Sequence, residues 1–364
     1  MPELNKERLE EYLSSLYNGD VRISSISEIG KEGESELKGF GYGLPYLIRF
    51  SVNNEEKTIV LETMSPNTFG HDHFSDRAQS IIWDHSTYNR LPKHVRSLDA
   101  GAFTPDGEVI TVGEAEEFFI LAEFVEGQGY YKDLERLLTA KSLEHVDEDR
   151  AKALAEYLVS IHSVKKDAPH LYTRRIRDLI GHGECIMGLI DNYRTGYGFI
   201  TEGLLKKIET GCVEWRWKIK GMGHRLCQVH GDFHPWNILF REGTDYTLLD
   251  RARGEWGEPA DDVATMAINY IFFSIQRYGR LEGVFERLYN IFMKTYFDAT
   301  GDMEMLKVIQ PFFIWRGLVI GNPVWYPALP VERRRKLFNF IENLLSEEEF
   351  RPERVNEYLG GISR

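Results

Sequence analysis

A chain of 364 residues with 42% hydrophobic and 28% charged residues is an ordinary globular protein, long enough for two packed lobes and neither disordered nor fibrous. Its formal net charge of −13 argues against nucleic acid as a partner, because affinity for a polyanion comes largely from Lys and Arg neutralising phosphates. Three widely spaced cysteines, Cys185, Cys212 and Cys227, suit neither a disulfide framework nor a CxxC zinc site and are read as reduced and structural.

The opening MPELNKERLEEYLSSLY is charged and amphipathic and has no apolar signal core, so the expected location is cytoplasmic. From Val21 to about Val125 come short β-like runs: VRISSISEI, YLIRFSV, KTIVLETM, EVITVG and FFILAEFV, separated by Gly, Asn and Asp-Gly turns. A helical segment from about Ser75 to Leu91 follows the third run, and the set predicts an antiparallel sheet with one packed helix. His71 to His73, in the loop-like NTFGHDHFSD, have no evident third metal ligand and are read as loop residues.

After Gly127 the pattern turns helical. AKALAEYLVSIH sets Ala151, Leu154, Ala155, Leu158, Ile161 and His162 at helical spacing, and LEGVFERLYNIFMKTYF and RRKLFNFIENLL repeat it. The most apolar stretch, VATMAINYIFFSI from Val263, is too short for a membrane span, so no membrane partner is expected. Arg333 to Lys336, the one dense basic cluster, is read as a solvated helix face.

Within the helical half, residues 230–239 read HGDFHPWNIL, with Asn237 five positions after Asp232. The following ILFREGTDYTLLD has two short aliphatic runs about a turn-forming REGTD, which predicts a hairpin. Folding back brings Asp250 near Asn237, with Asp232 on the loop just before. Hard oxygen ligands and a positioned carboxylate in this order suit Mg²⁺-assisted phosphoryl transfer, and the Asp-to-Asn interval is that of the protein-kinase catalytic loop.

The chain resembles the aminoglycoside phosphotransferase and choline kinase family on three ordered motifs: HGDxHxxN at His230, Gly231, Asp232, His234 and Asn237; a hydrophobic-Asp at Leu249 and Asp250; and GxPxxD at Gly257, Pro259 and Asp262. The resemblance implies an α+β, protein kinase-like fold with two lobes. Residues 1–125 would form a nucleotide-binding lobe with a small antiparallel sheet and one main helix, and 126–364 a larger, mostly α-helical catalytic and substrate lobe. It also implies transfer of the γ-phosphate of ATP, with Mg²⁺, to a hydroxyl of a small molecule. Asp232 would orient and help deprotonate the acceptor, while Asn237 and Asp250 would hold Mg²⁺. Asp262 fits a helix N-terminal position that satisfies free N–H groups, and His162 and His230 support the loop. Gly30 and Gly33 would approach phosphate in a covering loop, and the backbone around Glu123 to Val125 would contact adenine.

One departure from the family pattern stands on the third strand. TIVLETM carries Glu62 where the family has a phosphate-binding lysine, and its helix partner position is Asp84, so a cation-anion pair becomes two acids. A compensating cation is expected: a second Mg²⁺, Arg49, Lys31 or Lys38. The alternative is a member that no longer transfers phosphate, as a binding module or an AMP transferase. Trp315, Trp325 and Tyr326, in FFIWRGLVIGNPVWYP, are the candidate faces for a cationic acceptor, with core packing as the competing reading.

Overall fold

The computed structural model describes residues 4–29, 43, 45–193, 198–251 and 253–361. They fall into two compact units, Met1–Ala122 and Glu123–Arg364.

In the first unit α1 (Lys6–Tyr17) starts at Asn5, whose side chain accepts the Arg8 N–H, and stops at Asn18 in the left-handed region. β1 (Val21–Glu28), β2 (Pro45–Val52) and β3 (Glu55–Glu62) form an antiparallel sheet in that order. Asn53 and Asn54, both at positive φ, make the tight turn between β2 and β3. Alternation along β2 buries Ile48, Phe50 and Val52 on one face, where they meet Leu9 and Leu13 of α1. The opposite face carries Arg49 of β2 and Thr58, Val60 and Glu62 of β3, all exposed. α2 (Phe74–Tyr88) follows, with His73 at its N-cap donating its N–H to Asp76.

Two expectations change here. The strands do not make one sheet: β4 (Gly101–Phe103) and β5 (Val109–Thr111) pair only with each other. FFILAEFV is not a strand. Among the described residues β3 pairs with β2 alone, so no ladder receives the segment, and Phe119 and Phe124 stand 84% and 89% exposed. Apolar content alone supplies no hydrogen-bonding neighbour.

The second unit begins with β6 (Gln128–Gly129), α3 (Tyr130–Leu137), α4 (His145–His162), α5 (Pro169–Gly181), α6 (Ile186–Asp191) and α7 (Glu202–Ile219). β7 (Cys227–Gln228), β8 (Ile238–Phe240), β9 (Tyr246–Leu248) and β10 (Trp256–Gly257) surround the motif segment. Then come α8 (Pro259–Tyr278), α9 (Gly283–Thr300), α10 (Gln310–Gly321), α11 (Val331–Ser346) and α12 (Val355–Tyr358). α8 is buried continuously from Pro259 to Ile275, which accounts for its apolar run; no described helix is long and apolar enough to cross a membrane. The three cysteines are free and buried.

The basic cluster on α11 is not wholly a solvated face. Arg334 is fully buried and donates to the carbonyls of Gly321, Tyr326 and Leu329, so it ties the segment after α10 to the start of α11. A helix with a wet face still places one residue per turn inward, and here that residue is an arginine whose donors meet backbone oxygens.

Candidate active site

The segment from His230 to Asp250 is shaped by its own polar groups. Gly231 has φ +85, a conformation that glycine adopts without penalty. The Asp232 N–H donates to His230 Nδ1 at 3.2 Å, and the Asp232 carbonyl accepts from His234 N at 2.9 Å and from Asn237 Nδ2 at 3.1 Å. Pro235 opens a single 3₁₀ turn that ends on Asn237 and feeds β8. β8 pairs antiparallel with β9, Ile238 opposite Leu248, and the Leu249 N–H donates to the Asn237 carbonyl at 2.8 Å. The hairpin register therefore brings the ends of the two strands, and Asn237 and Asp250 with them, to the same edge.

Asp250 has φ +52, a left-handed conformation that costs a non-glycine residue about 1 kcal/mol but suits Asp better than most. Its side chain is exposed, and among the described residues nothing pairs with it. It borders a small cleft with Tyr157, Ile161, Gln228, His230 and Leu249. Asn237 has committed its amide nitrogen to Asp232, which leaves its amide oxygen as the remaining ligand atom. Two hard oxygen groups at one strand edge fit a small divalent cation that keeps part of its water shell.

Beneath the loop, Asp262 in the first turn of α8 is fully buried. Its Oδ2 accepts the His230 N–H and its Oδ1 the Gly231 N–H, each at 2.7 Å, and Oδ2 also meets His162 Nε2 at 3.2 Å. His162 Nδ1 contacts the Tyr296 hydroxyl at 2.9 Å. Burial alone would raise the Asp262 carboxyl; His162 and the loop outweigh it and hold it below the usual carboxylate range. His162 and His230 thus act through named hydrogen bonds.

Asp232 lies between two guanidiniums and an imidazole. Arg316 Nη1 stands 2.6 Å from its Oδ1, Arg253 Nη1 2.9 Å from its Oδ2, and His234 Nε2 3.6 Å from that same oxygen. Burial works to raise its pKa, but Arg316, Arg253 and His234 together hold the carboxyl far below its ordinary value. For His234, burial and the two arginines outweigh Asp232 and push the imidazole below its usual value, toward the neutral form. Arg316 also reaches the Gly231 carbonyl and Asp261 Oδ1, and Asp261 Oδ2 binds Arg175 at 2.6 Å.

Arg175, Arg253, Asp261 and Arg316 escaped the reading of the sequence. Arg316 did carry a signal: it is the lone charge in QPFFIWRGLVIG, and a charge inside an apolar helix needs a partner.

The other expected residues are more scattered. Gly30 and Gly33, like Lys31 and Lys38, lie outside the described residues. Glu123 is exposed and Val125 half-buried, in the irregular segment before β6. Glu62 ends β3 opposite Pro45, whereas Arg49 is opposite Thr58, four residues or roughly 13 Å further along the sheet. Among the described residues Glu62 has no ion pair, so Arg49 is not its compensating cation. Burial first, then the charges of Asp84 and Glu62, raise the Tyr88 phenol above its ordinary value.

The three aromatic candidates do not make one cation-binding face. Trp315 is 1% exposed, and its ring already faces the chain's own guanidiniums, Arg316 at 3.8 Å and Arg253 at 5.1 Å from its centroid. Trp325 is 66% exposed, and Tyr326 packs edge-on against Phe272.

Residues 93–301, more than half of the chain, match the phosphotransferase enzyme family. The chain belongs to that family. This member is α+β, with the small antiparallel sheet and helices α1 and α2 in the first unit and the helical bulk in the second. Solved structures similar to it include a choline kinase from Cryptosporidium parvum Iowa II, 15% identical over 93% of this chain and 91% of that one, with TM-score 0.38. The amicoumacin kinase hAmiN in complex with AMP-PNP, Ca²⁺ and Ami is 13% identical over 96% and 98%, with TM-score 0.40. A spectinomycin phosphotransferase in complex with ADP and spectinomycin is 13% identical over 98% of both chains, with TM-score 0.34. No curated protein matches this family member.

Proposed function

We propose that this phosphotransferase moves the γ-phosphate of ATP to a hydroxyl of a small molecule. The observation that carries the reading is the hairpin register that sets Asn237 and Asp250, the latter without a partner among the described residues, at the same strand edge, one short turn from Asp232. Asn237 and Asp250 would hold Mg²⁺, which when bound neutralises charge on the nucleotide phosphates. Asp232 orients the acceptor hydroxyl and takes its proton as the new P–O bond forms. Because phosphoryl transfer passes through a loose transition state, a fixed, ionised carboxylate serves orientation more than basicity, which suits an Asp held between two arginines.

By resemblance we assign residues 1–125 to nucleotide binding, through Gly30, Gly33, Glu62, Glu123 and Val125, and residues 126–364 to catalysis and the acceptor. Glu62, standing where the family has a lysine, favours one competing reading, a member that transfers AMP or only binds. Incubation with Mg-ATP and a metabolite pool decides between them: ADP supports phosphotransfer, while pyrophosphate identifies AMP transfer. Equal ATP affinity with Mg²⁺ and with EDTA, by calorimetry, removes the metal role of Asn237 and Asp250.

A further inference from the structure

The carboxylate assigned to the acceptor hydroxyl is clasped by two guanidiniums that are held very differently. Arg316, 5% exposed, has Nη1 on Asp232 and Nη2 on the Gly231 carbonyl and Asp261, so it is fixed on three sides. Arg253 has one close partner, Asp232; its others are the Gly231 carbonyl at 3.5 Å and Glu184 at 3.4 Å, an acid whose side chain is 61% exposed. The Nε atoms of both arginines are buried without a hydrogen-bond partner among the described residues. Arg175, Arg253 and Arg316 face Asp232 and Asp261, with Asp262 buried under the same loop and Glu184 on Arg253; the most loosely matched of the three guanidiniums is Arg253, whose second acid, Glu184, is exposed.

We propose that the acceptor of this phosphotransferase carries an anionic oxygen group beside its reactive hydroxyl, and that Arg253 recognises that group; the proposal rests on the role assigned to Asp232. A guanidinium whose second acid partner is distant and solvent-exposed can turn its donors to an arriving anion. Arg253 is the guanidinium free to serve it, since its remaining contacts are long and its second acid partner is exposed. An arriving carboxylate or phosphate monoester draws Arg253 from Asp232 Oδ2, which frees that oxygen for the hydroxyl while Arg316 keeps Oδ1 in place. A cationic amino alcohol meets the opposite field: two like charges at the carboxylate it needs. The indole of Trp315, stacked on both guanidiniums, keeps them in position for the anion.

The test uses the full chain and acceptors matched by skeleton: glycerate, glycerol 3-phosphate, glycerol and 2-amino-1,3-propanediol, then gluconate, glucose 6-phosphate, glucitol and glucosamine. Mg-ATP binding is measured first, by calorimetry. Thermal shift and ADP release across the panel should favour the anionic members at least tenfold, and the carboxylate and phosphate arms identify which anion is taken. Arg253→Gln should remove the preference by raising KM for the anionic members tenfold or more, with Arg253→Lys restoring part of it. Glu184→Gln, at an exposed position where folding is not at risk, should lower that KM about two- to fivefold by removing a competing acid. Preference for neutral or ammonium members, no binding of any anionic member, or a preference that survives Arg253→Gln overturns the proposal. If Mg-ATP fails to bind while anionic members still stabilise the chain through Arg253, the ATP reading falls and the anion site stands.

Discussion

Replacing Asp262 by Asn changes one atom of a buried carboxylate and tests whether that group holds the loop carrying Asp232. The carboxylate accepts from His230 N, Gly231 N and His162, with no exposed surface at the residue. An amide keeps one oxygen. Placed where Oδ2 was, it preserves the His230 and His162 contacts and sets an NH₂ against the Gly231 N–H. One buried donor is then unsatisfied, at about 1–3 kcal/mol, and the surviving bonds lose their ionic partner, at about 1 kcal/mol more. The expected loss is roughly 3 kcal/mol; Asp262→Ala, which orphans all three donors, should lose roughly 5 after partial relaxation. For a unit of this size each kcal/mol is about 2–4 °C, so Asp262→Asn should lower Tm by about 6–12 °C in differential scanning calorimetry. A Tm within 2 °C of wild type would refute the clamp.

Asp232→Asn should cut kcat about 10²- to 10⁴-fold while Mg-ATP affinity in calorimetry stays within about threefold, since the carboxylate acts on the acceptor; retained turnover removes its role. Gly231→Ala should cost about 1–2 kcal/mol in thermal unfolding, because φ +85 is unfavourable for alanine while the nearest atoms to its Cβ, on Arg175 and Arg253, sit at an ordinary 3.4 Å. The Asp232 and Asp262 carboxyls are both depressed in the folded state, so their contribution to stability is complete above about pH 4 and is lost as pH falls through their lowered values. Tm measured from pH 7 to 2 should therefore fall most steeply below pH 4, with a shallower acid limb in Asp232→Asn. Glu62→Lys should weaken Mg-ATP about tenfold by ejecting the compensating cation expected beside Glu62; tighter binding by the mutant would refute that compensation.

How legible the molecule was depended on how local each cause is. Alternation in YLIRFSV and KTIVLETM marked β2 and β3, and the 3.6-residue period in AKALAEYLVSIH marked α4, because burial on one face is written into neighbouring residues. FFILAEFV misled for the converse reason: a strand also needs a partner's backbone, and no local pattern reports one. Arg334 looked like one of four surface charges, and only the carbonyls around it explain its burial. The pattern HGDxHxxN marked the polar loop. The two arginines that hold Asp232 lie outside the motif, Arg253 after the hairpin and Arg316 on α10, so the charge state of its carboxylate could not be read from the motif.

That distance matters while the protein is being made. Asp232 and Arg316 are separated by 84 residues, and at about 5–20 residues per second a ribosome needs roughly 4–17 s to add them. Arg253 is added early in that interval and Arg316 only at its end, so the nascent chain passes through a stage in which the polar loop has one of the two arginines that hold its carboxylate. A pulse of translation arrested between α9 and α10 should yield chains with that loop open to protease, and release of the arrest should close it as α10 docks.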